Sequence, residues 1–206
     1  MSFNNSENYQ LRVGGRKIKD FNQDGTINNN DKYYAGSTLP SAFGGISNRI
    51  SYKNWTLDMM MSYTIRRKMM NMVKNSAFNF TKTFGTIMAD PSKVTFWQKP
   101  GDETDYPSLE FADQGYIGQF DGDIDSNIEN VNYLRLKSIT LSYEMPAKWF
   151  KNKIKGLSLY VTGQNLFLWT NYSGTDPEVV DPYTGKDTGQ QYPLNRSVTF
   201  GFNLKF

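Results

Sequence analysis

Residues 197–206 read Ser-Val-Thr-Phe-Gly-Phe-Asn-Leu-Lys-Phe, and an apolar side chain follows every polar or small residue in this stretch. Successive side chains of a β-strand point to opposite faces, so the alternation predicts a strand with one apolar and one polar face. Residues 55–65 repeat the pattern. Their alternating apolar positions are Trp55, Leu57, Met59, Met61, Tyr63 and Ile65. Each run is about as long as the roughly 9–11 residues that a tilted strand needs to cross a bilayer.

Three further strands with less regular alternation are predicted at residues 42–52, 131–143 and 157–169. In the second of these, the apolar positions change from even to odd numbers between Leu136 and Ile139. In the third, the pattern slips near Gly163 and Gln164. One extra residue reverses the facing of those that follow, so both irregularities predict β-bulges. Residues 9–18 form a weaker sixth candidate.

The connections between these strands alternate in length. The short ones lie at residues 53–54 and 145–155, and the long ones at residues 20–40, 66–130 and 171–195. Short turns at one end and long loops at the other are typical of a transmembrane β-barrel, and aromatic girdles mark its two rims. Candidate girdle residues at strand ends are Tyr52, Trp55, Tyr143, Trp169 and Phe206. The sequence therefore predicts an all-β, antiparallel transmembrane β-barrel segment with five or six strands and long extracellular loops.

The composition excludes several functional classes. The 206 residues include no His and no Cys, which removes His/Cys zinc sites, Cys nucleophiles and every Ser-His-Asp arrangement. Lys and Arg number 23 against 20 Asp and Glu, so the chain has no large basic field and we expect no nucleic-acid partner. Acidic clusters around Asp102 and Asp123 lie in loop-like sequence, so we expect no enzyme activity.

Residues 20–31, Asp-Phe-Asn-Gln-Asp-Gly-Thr-Ile-Asn-Asn-Asn-Asp, match the pattern of a calcium-binding loop in which oxygen ligands surround a sharp glycine turn. The candidate Ca²⁺ ligands are Asp20, Asn22, Asp24, Thr26 through its backbone carbonyl, Asn28 and Asp31. Asp31 replaces the usual longer Glu, and no amphipathic helix flanks the loop. We therefore expect a free-standing loop in which calcium stiffens a connection. An Asn- and Asp-rich turn without metal is the alternative.

A second fold also fits the alternation. Antiparallel sandwiches place side chains inward and outward in turn, so the chain could be a secreted, calcium-stabilised β-sandwich that binds carbohydrate. Its candidate ring platforms for sugars would be Trp97, Tyr106, Tyr116, Trp169 and Tyr172. The long link at residues 66–130 weighs against this fold, because such loops are rare in a compact sandwich.

Several longer segments resemble a known family. They are residues 20–31 leading into 41–63, Tyr-Leu-Arg-Leu-Lys-Ser-Ile-Thr-Leu-Ser-Tyr at 133–143, Tyr-Val-Thr-Gly-Gln-Asn-Leu-Phe at 160–167, Tyr-Ser-Gly-Thr-Asp-Pro-Glu at 172–178, and residues 192–206. Together they are similar to the C-terminal third of the barrel in SusC/RagA-type TonB-linked outer-membrane proteins. The resemblance implies a barrel of about 22 strands around an N-terminal plug. It also implies import of oligosaccharides or oligopeptides through the outer membrane of a Gram-negative-type bacterium.

The resemblance carries expectations about partners and extent. In the family, the signal peptide and plug precede the matching region, and neither is recognised in residues 1–206. Five or six strands are too few for a closed barrel, which needs at least about eight. We therefore expect residues 1–206 to be the C-terminal part of a larger barrel. The implied partners are the remaining N-terminal barrel and plug, a SusD-like surface lipoprotein, TonB acting through the plug, and outer-membrane lipid.

Overall fold

The computed structural model describes residues 13–15, 18–25, 27, 29–73, 95–104, 106, 108, 124–150 and 155–205. The chain divides into two compact units, one formed by residues 1–36 and 72–127 and the other by residues 37–71 and 128–206. Among the described residues, every strand lies in the second unit. No helix in this part of the chain is long and apolar enough to cross a membrane.

Six strands form one sheet. They are β1 (Ala42–Tyr52), β2 (Trp55–Asn71), β3 (Ile128–Met145), β4 (Gly156–Thr170), β5 (Lys186–Asp187) and β6 (Ser197–Lys205). The order is β1-β2-β3-β4-β6 with antiparallel neighbours, and the two-residue β5 pairs in parallel with the end of β2. The predicted all-β antiparallel sheet is confirmed. The predicted weak strand at residues 9–18 lies mostly outside the described residues, and β5 was not predicted.

The predicted strands recur with small changes in their bounds. β1 has the predicted limits, whereas β2 and β3 run further at the end where they meet the long loops. The short links also have the predicted lengths: Lys53 adopts a positive φ of 53° in the tight turn between β1 and β2, and a 3₁₀ turn at Ala147–Phe150 follows β3.

The predicted phase change in β3 is a bulge at Lys137. Met61 and Phe167 lie opposite Leu136, while Met60 and Gln164 lie opposite Ser138, so Lys137 is left out of both ladders. Because this one residue is unpaired, the apolar residues before and after it, such as Leu136 and Ile139, lie on the same face of the sheet.

The predicted slip in β4 falls at Asn165 and Leu166, just after the expected position. These two residues have no partner in the ladder with β3, and Asn165 has a positive φ of 51°. A Cβ on Gly163 would lie 2.5 Å from Leu166 Cδ1, so the bulged leucine occupies the space beside the glycine. A larger residue at position 163 would require the Leu166 side chain to move.

Two adjacent cross-strand rows show how the faces of the sheet differ. One row runs Ile50, Leu57, Leu141, Val161 and Phe200 across β1, β2, β3, β4 and β6. The next row runs Arg49, Asp58, Thr140, Thr162 and Thr199. Side chains alternate along each strand, so the first row lies on one face, here called the apolar face, and the second on the opposite, polar face. The predicted alternation therefore continues across all five long strands.

Many side chains of the apolar face are exposed. Phe200 is 79% exposed, and Ile46, Ile50 and Phe202 are also more than half exposed. At the end of the sheet with the short turns, Tyr52, Trp55 and Tyr143 form one row, and the rings of Trp55 and Tyr143 lie 4.7 Å apart between centroids. A contiguous apolar surface of this kind marks a region that contacts lipid or another protein.

The core of the second unit lies at the other end of the sheet, beside the long loops. It consists of Met69 from β2, Val131 from β3, and Tyr172 and Val180 from the segment after β4. The sequence predicted residues 171–195 as a long polar link. That description is incomplete, because Pro177 and Val180 in this link are almost fully buried.

The first unit is described only in part. Tyr33 donates a 2.9 Å hydrogen bond from its hydroxyl to Asp125 Oδ2, and this bond raises the pKa of the Tyr33 phenol above its ordinary value. Phe96 and Tyr106 form an isolated parallel bridge with their ring centroids 5.7 Å apart. Two short 3₁₀ turns, Asn29–Asp31 and Asp125–Asn127, complete its regular structure among the described residues.

Candidate functional site

A deeply buried ion pair is centred on Arg135 in the middle of β3. Arg135 lies between Leu134 and Leu136 in sequence and pairs with Ser62 and Leu168 across the sheet, which places it on the polar face. Its guanidinium forms an ion pair with Asp176, and each of the two side chains is only 3% exposed. A charge this deeply buried is tolerated only when it is paired.

The Asp176 carboxylate binds two separate parts of the segment that follows β4, residues 171–195. Besides the Arg135 contact, Oδ1 accepts a 3.0 Å hydrogen bond from the backbone N–H of Glu178, and Oδ2 accepts one of 3.2 Å from that of Leu194. We call residues 171–195 the strap. The Asp176 carboxylate therefore joins an early part of the strap, at Glu178, to a late part, at Leu194.

Glu178 places a second negative charge beside Arg135. Its Oε2 lies 2.6 Å from Arg135 Nε, in a geometry that makes an ion pair but no aligned hydrogen bond, and its Oε1 lies 2.5 Å from Lys137 Nζ. Lys137 is the bulged residue of β3. Two cations on β3 thus face two carboxylates on the strap, and we call Arg135, Lys137, Asp176 and Glu178 the clamp.

A second set of contacts holds the start of the strap. The Tyr172 hydroxyl donates a 2.6 Å hydrogen bond to Asp187 Oδ2, and Glu129 on β3 accepts hydrogen bonds from the backbone and side chain of Ser173. Burial raises the pKa of the Tyr172 phenol far above its ordinary value. The hydrogen bond to Asp187 and the charges of Asp187 and Glu129 raise it further. The phenol is therefore a neutral donor at physiological pH.

The tip of the strap is attached to β2. Arg67 donates from Nε to the carbonyl of Thr38 at 3.1 Å and from its terminal nitrogen to that of Asp181 at 3.3 Å, while the Met70 N–H donates to Gly185 O at 2.8 Å. The N–H of Tyr183 and then the hydroxyl of Thr184 lower the pKa of Asp181. Arg67 thus holds the tip of the strap, at Asp181, against β2.

The predicted calcium ligands lie in the first unit. Asp20 accepts hydrogen bonds from the N–H groups of Gln23 at 2.7 Å and Gly25 at 2.8 Å, and Asn22 donates from Nδ2 to Asp24 at 2.8 Å. Asp20, Asn22 and Asp24 are therefore brought close together, with Gly25 at a positive φ of 79°.

Of the remaining predicted calcium ligands, the structure describes Asp31. Asp31 accepts a 2.8 Å hydrogen bond from the N–H of Phe21, which closes the loop, while Thr26 and Asn28 lie outside the described residues. Across the described part of the chain, no three His, Cys, Asp or Glu side chains are grouped as a metal site. The expected site draws on Asn and carbonyl oxygens as well, so it stays a prediction.

Two of the five rings suggested as sugar platforms are buried. Tyr106 and Tyr172 are buried, and the Tyr172 hydroxyl is committed to Asp187. Trp169 is exposed but stacks on Phe167 beside the apolar face, with centroids 5.7 Å apart. Tyr116 lies outside the described residues. Two of the five rings are therefore unable to act as platforms.

Comparison with known proteins identifies relatives along almost the whole chain. It is 31% identical over 207 aligned residues to TonB-dependent receptor P26 of Formosa agariphila, and 30% identical over 191 residues to TonB-dependent receptor SusC of Bacteroides thetaiotaomicron. These alignments cover 94% and 91% of the chain. The chain resembles a segment of SusC/RagA-type TonB-dependent receptors. The resemblance predicted from the sequence is confirmed.

Solved structures agree with the SusC/RagA-type comparison. The RagAB peptide importer in its closed-closed state matches with a TM-score of 0.63 and 25% identity over 96% of the chain. The open-open state of the same importer matches with a TM-score of 0.59 and 27% identity over 89% of the chain. The sheet therefore has the fold of a TonB-dependent barrel segment.

The chain spans only about a fifth of these SusC/RagA-type relatives. The alignments cover 20% of receptor P26 and 17% of SusC, and 20% of the matched RagAB chain. No family model matches the sequence. The relatives are named as receptors or importers.

Sequence reasoning did not find the clamp. Arg135 and Lys137 were noted within a family-like segment, and Asp176 and Glu178 within another, but nothing in the sequence pairs them. One feature of the sequence could have indicated it: Arg135 and Lys137 alternate with leucines in a predicted strand. If such charges are buried they require partners of opposite charge.

Proposed function

We propose that the chain forms part of the wall of an outer-membrane β-barrel in a SusC/RagA-like TonB-dependent importer, with no catalytic role. The observation that carries this proposal is the pair of adjacent cross-strand rows. Ile50, Leu57, Leu141, Val161 and Phe200 make one face of the sheet apolar, and Arg49, Asp58, Thr140, Thr162 and Thr199 make the other polar. In a barrel wall, the apolar face meets lipid and the polar face meets the lumen.

The dimensions of the apolar face support this proposal. From Trp55 to Ile65 the strand advances ten residues, which is about 33 Å at about 3.3 Å per residue. A tilt of about 40° reduces this to a height of about 25 Å, the usual height of the apolar band in outer-membrane barrels. The row of Tyr52, Trp55 and Tyr143 lies at one rim of this band, and Trp169 lies near the other.

The polar contacts on the other face suit a water-filled lumen. Arg49 and Asp58 form an exposed ion pair at 2.5 Å, and the Thr140 and Thr162 hydroxyls share a 2.9 Å hydrogen bond. The same groups facing hydrocarbon would be costly, because lipid offers no hydrogen-bond partners.

The wall requires further strands. Among the described residues, β1 and β6 pair on one side only, and unpaired backbone groups in lipid cost several kcal/mol each. We propose that residues 1–206 form the C-terminal part of a larger barrel that also has a plug. The remaining N-terminal strands would complete the pairing of β1 and β6.

The proposed cargo is an oligosaccharide or an oligopeptide. This follows from the kinds of relative found, one named SusC and another described as a peptide importer. The proposed partners are a SusD-like surface lipoprotein at the extracellular rim and TonB, which would act through the plug. The proposed location is the outer membrane of a Gram-negative-type bacterium.

A calcium site at residues 20–31 is a second, independent proposal. Asp20, Asn22 and Asp24 lie close together around Gly25, and oxygen ligands of this kind suit Ca²⁺. The bound ion would stiffen the connection that leads into β1. The full set of proposed ligands is Asp20, Asn22, Asp24, Thr26, Asn28 and Asp31.

Spin labels test the barrel wall directly. Single cysteines are introduced at positions 198–203 of the full-length gene product, labelled, and measured in outer-membrane vesicles for access to oxygen and to a nickel chelate. Oxygen concentrates in lipid, so positions 198, 200 and 202 are expected to favour oxygen and positions 199, 201 and 203 the chelate. Uniform access along β6 would contradict the proposal.

Growth experiments test the cargo. The gene is deleted in its native bacterium, and growth is compared on oligosaccharides and on oligopeptides as sole nutrient sources. Slower growth on one class, restored by the intact gene, would identify the class that is imported. Unchanged growth on both would contradict the import proposal. The proposed barrel wall is tested separately by the spin labels.

A further inference from the structure

The strap is attached to the sheet at its start, its middle and its tip. Its start is held by Tyr172 and Ser173, and its middle by Asp176 and Glu178. Its tip is held at Gly185 by β2. These contacts attach the strap to the sheet from Ser173 to Asp187, whereas residues 188–193 are exposed.

Several of these attachments are buried. Asp176, Pro177, Val180 and Asp187 are buried within the strap, and Arg135, beneath it, is 2% exposed. Most loops that open and close in proteins have few buried apolar contacts and exposed backbone hydrogen bonds. The strap has the opposite character, since it supplies half of the hydrophobic core of this unit, Tyr172 and Val180.

Lifting the strap would separate charges that the fold keeps paired. Asp176 and Glu178 would move away from Arg135 and Lys137. Two cations, two positions apart on β3, would then remain without their carboxylates. Ser173 would leave Glu129 of β3 at the same time. Because these contacts share residues, they are expected to break together and not one by one.

We propose that the strap is a permanent part of the inner surface at this end of the sheet and not a lid that opens. The inference rests on the proposed barrel wall, in which the polar face lines the lumen. The clamp then acts as a set of positioning residues that hold the strap inside the lumen. Movements that admit cargo must accordingly occur in other parts of the protein.

Hydrogen exchange of the full-length protein in detergent tests the proposal without knowledge of the cargo. The probes are the backbone N–H groups of Glu178 and Leu194, which donate to Asp176, and of Met70, which donates to Gly185. All three are expected to exchange at least about 100-fold more slowly than in an unstructured peptide. Exchange within about tenfold of the unstructured rate would overturn the proposal.

Two variants separate strap release from general unfolding. Arg135→Met is expected to accelerate exchange at Glu178 and Leu194 about 100-fold or more, because it leaves the buried Asp176 carboxylate without its cation. The exposed Arg49→Met serves as the control and should leave those rates unchanged. If Arg135→Met leaves the strap protected, the clamp does not hold it and the proposal is wrong.

A disulfide provides the second measurement. The paired positions Met70 and Lys186 face each other in the β2–β5 bridge, and the chain has no cysteine of its own. Met70→Cys with Lys186→Cys is expected to cross-link readily and to restore slow exchange at Leu194 in the Arg135→Met background. If Arg135→Met does not assemble, Glu178→Gln replaces it, with a smaller expected acceleration. Failure of the spin-label pattern on β6 would contradict the barrel wall, whereas fast exchange in the strap would contradict only this inference.

Discussion

Arg135 and Asp176 lie 41 residues apart in the chain and form an ion pair in which each side chain is 3% exposed. Arg49 and Asp58 form another ion pair on the same face of the sheet, but their side chains are 72% and 36% exposed. The two pairs contain the same chemical groups. Their environments differ, so their contributions to stability are expected to differ greatly.

Replacing Arg135 should destabilise the protein strongly. Arg135→Met leaves the buried Asp176 without its cation, and breaking a buried pair in this way costs about 3–5 kcal/mol. The measurement is denaturant unfolding of the full-length protein in detergent. Arg49→Met is the matched control and should leave the midpoint unchanged, since water solvates both members of that pair. Equal shifts in the two variants would contradict the burial of the clamp.

Charges on the two faces of β6 should have unequal effects on membrane assembly. Phe200→Lys places a cation on the apolar face at mid-strand, where contact with lipid costs about 2–4 kcal/mol. Thr199→Lys, one residue away, points to the polar face and should be milder. The folded fraction in the outer membrane, read from heat-modifiable mobility in gel electrophoresis, measures both. Equal defects would show that the faces are assigned wrongly.

Tyr172 should make stability depend on pH in the alkaline range. Its phenol has a pKa raised in the folded protein by burial first and then by Asp187. Both states hold the proton below about pH 10, so this contribution is complete there. Above that pH the unfolded chain releases the proton first, and stability falls by up to about 1.4 kcal/mol per pH unit.

Tyr172→Phe tests this dependence, because it removes the titrating group. The variant should lose stability at neutral pH through the missing hydrogen bond to Asp187, but its unfolding midpoint should fall less steeply between pH 10 and 11. The comparison uses wild type and variant over pH 8–11. Parallel curves would show that Tyr172 does not titrate differently in the two states.

Calcium binding at residues 20–31 should depend on Asp24. Asp24→Ala removes a proposed ligand that lies beside Asn22, and calorimetric titration with Ca²⁺ should show loss of binding. Asp102→Ala removes an acid outside the loop, one that accepts hydrogen bonds from the N–H groups of Gln98 and Lys99, and should leave binding intact. Binding that survives Asp24→Ala would refute the ligand assignment.

Periodicity was sufficient to predict the five long strands and their faces. A single sequence shows which residues recur at intervals of two, and a phase change such as the one before Ile139 reveals a bulge without reference to any partner strand. Strand bounds were less accurate at the loop end, because β2 continues to Asn71 through residues that do not alternate and that pair with β3 and β5. That extension depends on neighbours and not on alternation.

The strap was predicted only as a polar link. Its composition, rich in Asp, Gly and Tyr, is that of a solvated loop, and no local rule distinguishes Asp176, which is buried, from an exposed acid. Tyr172 likewise looked like an exposed platform, whereas its burial depends on Met69 and Val131 in strands far away in sequence.

The sequence by itself determined that the chain forms antiparallel strands with one apolar and one polar face, because side-chain facing follows from the local period of two. Only the tertiary structure decided that Arg135 and Lys137 meet Asp176 and Glu178, and that the strap is packed against the sheet. Those contacts join residues about 40 positions apart. They arise when the sheet brings the ends of distant strands together, and no local pattern encodes which distant charges will then be neighbours.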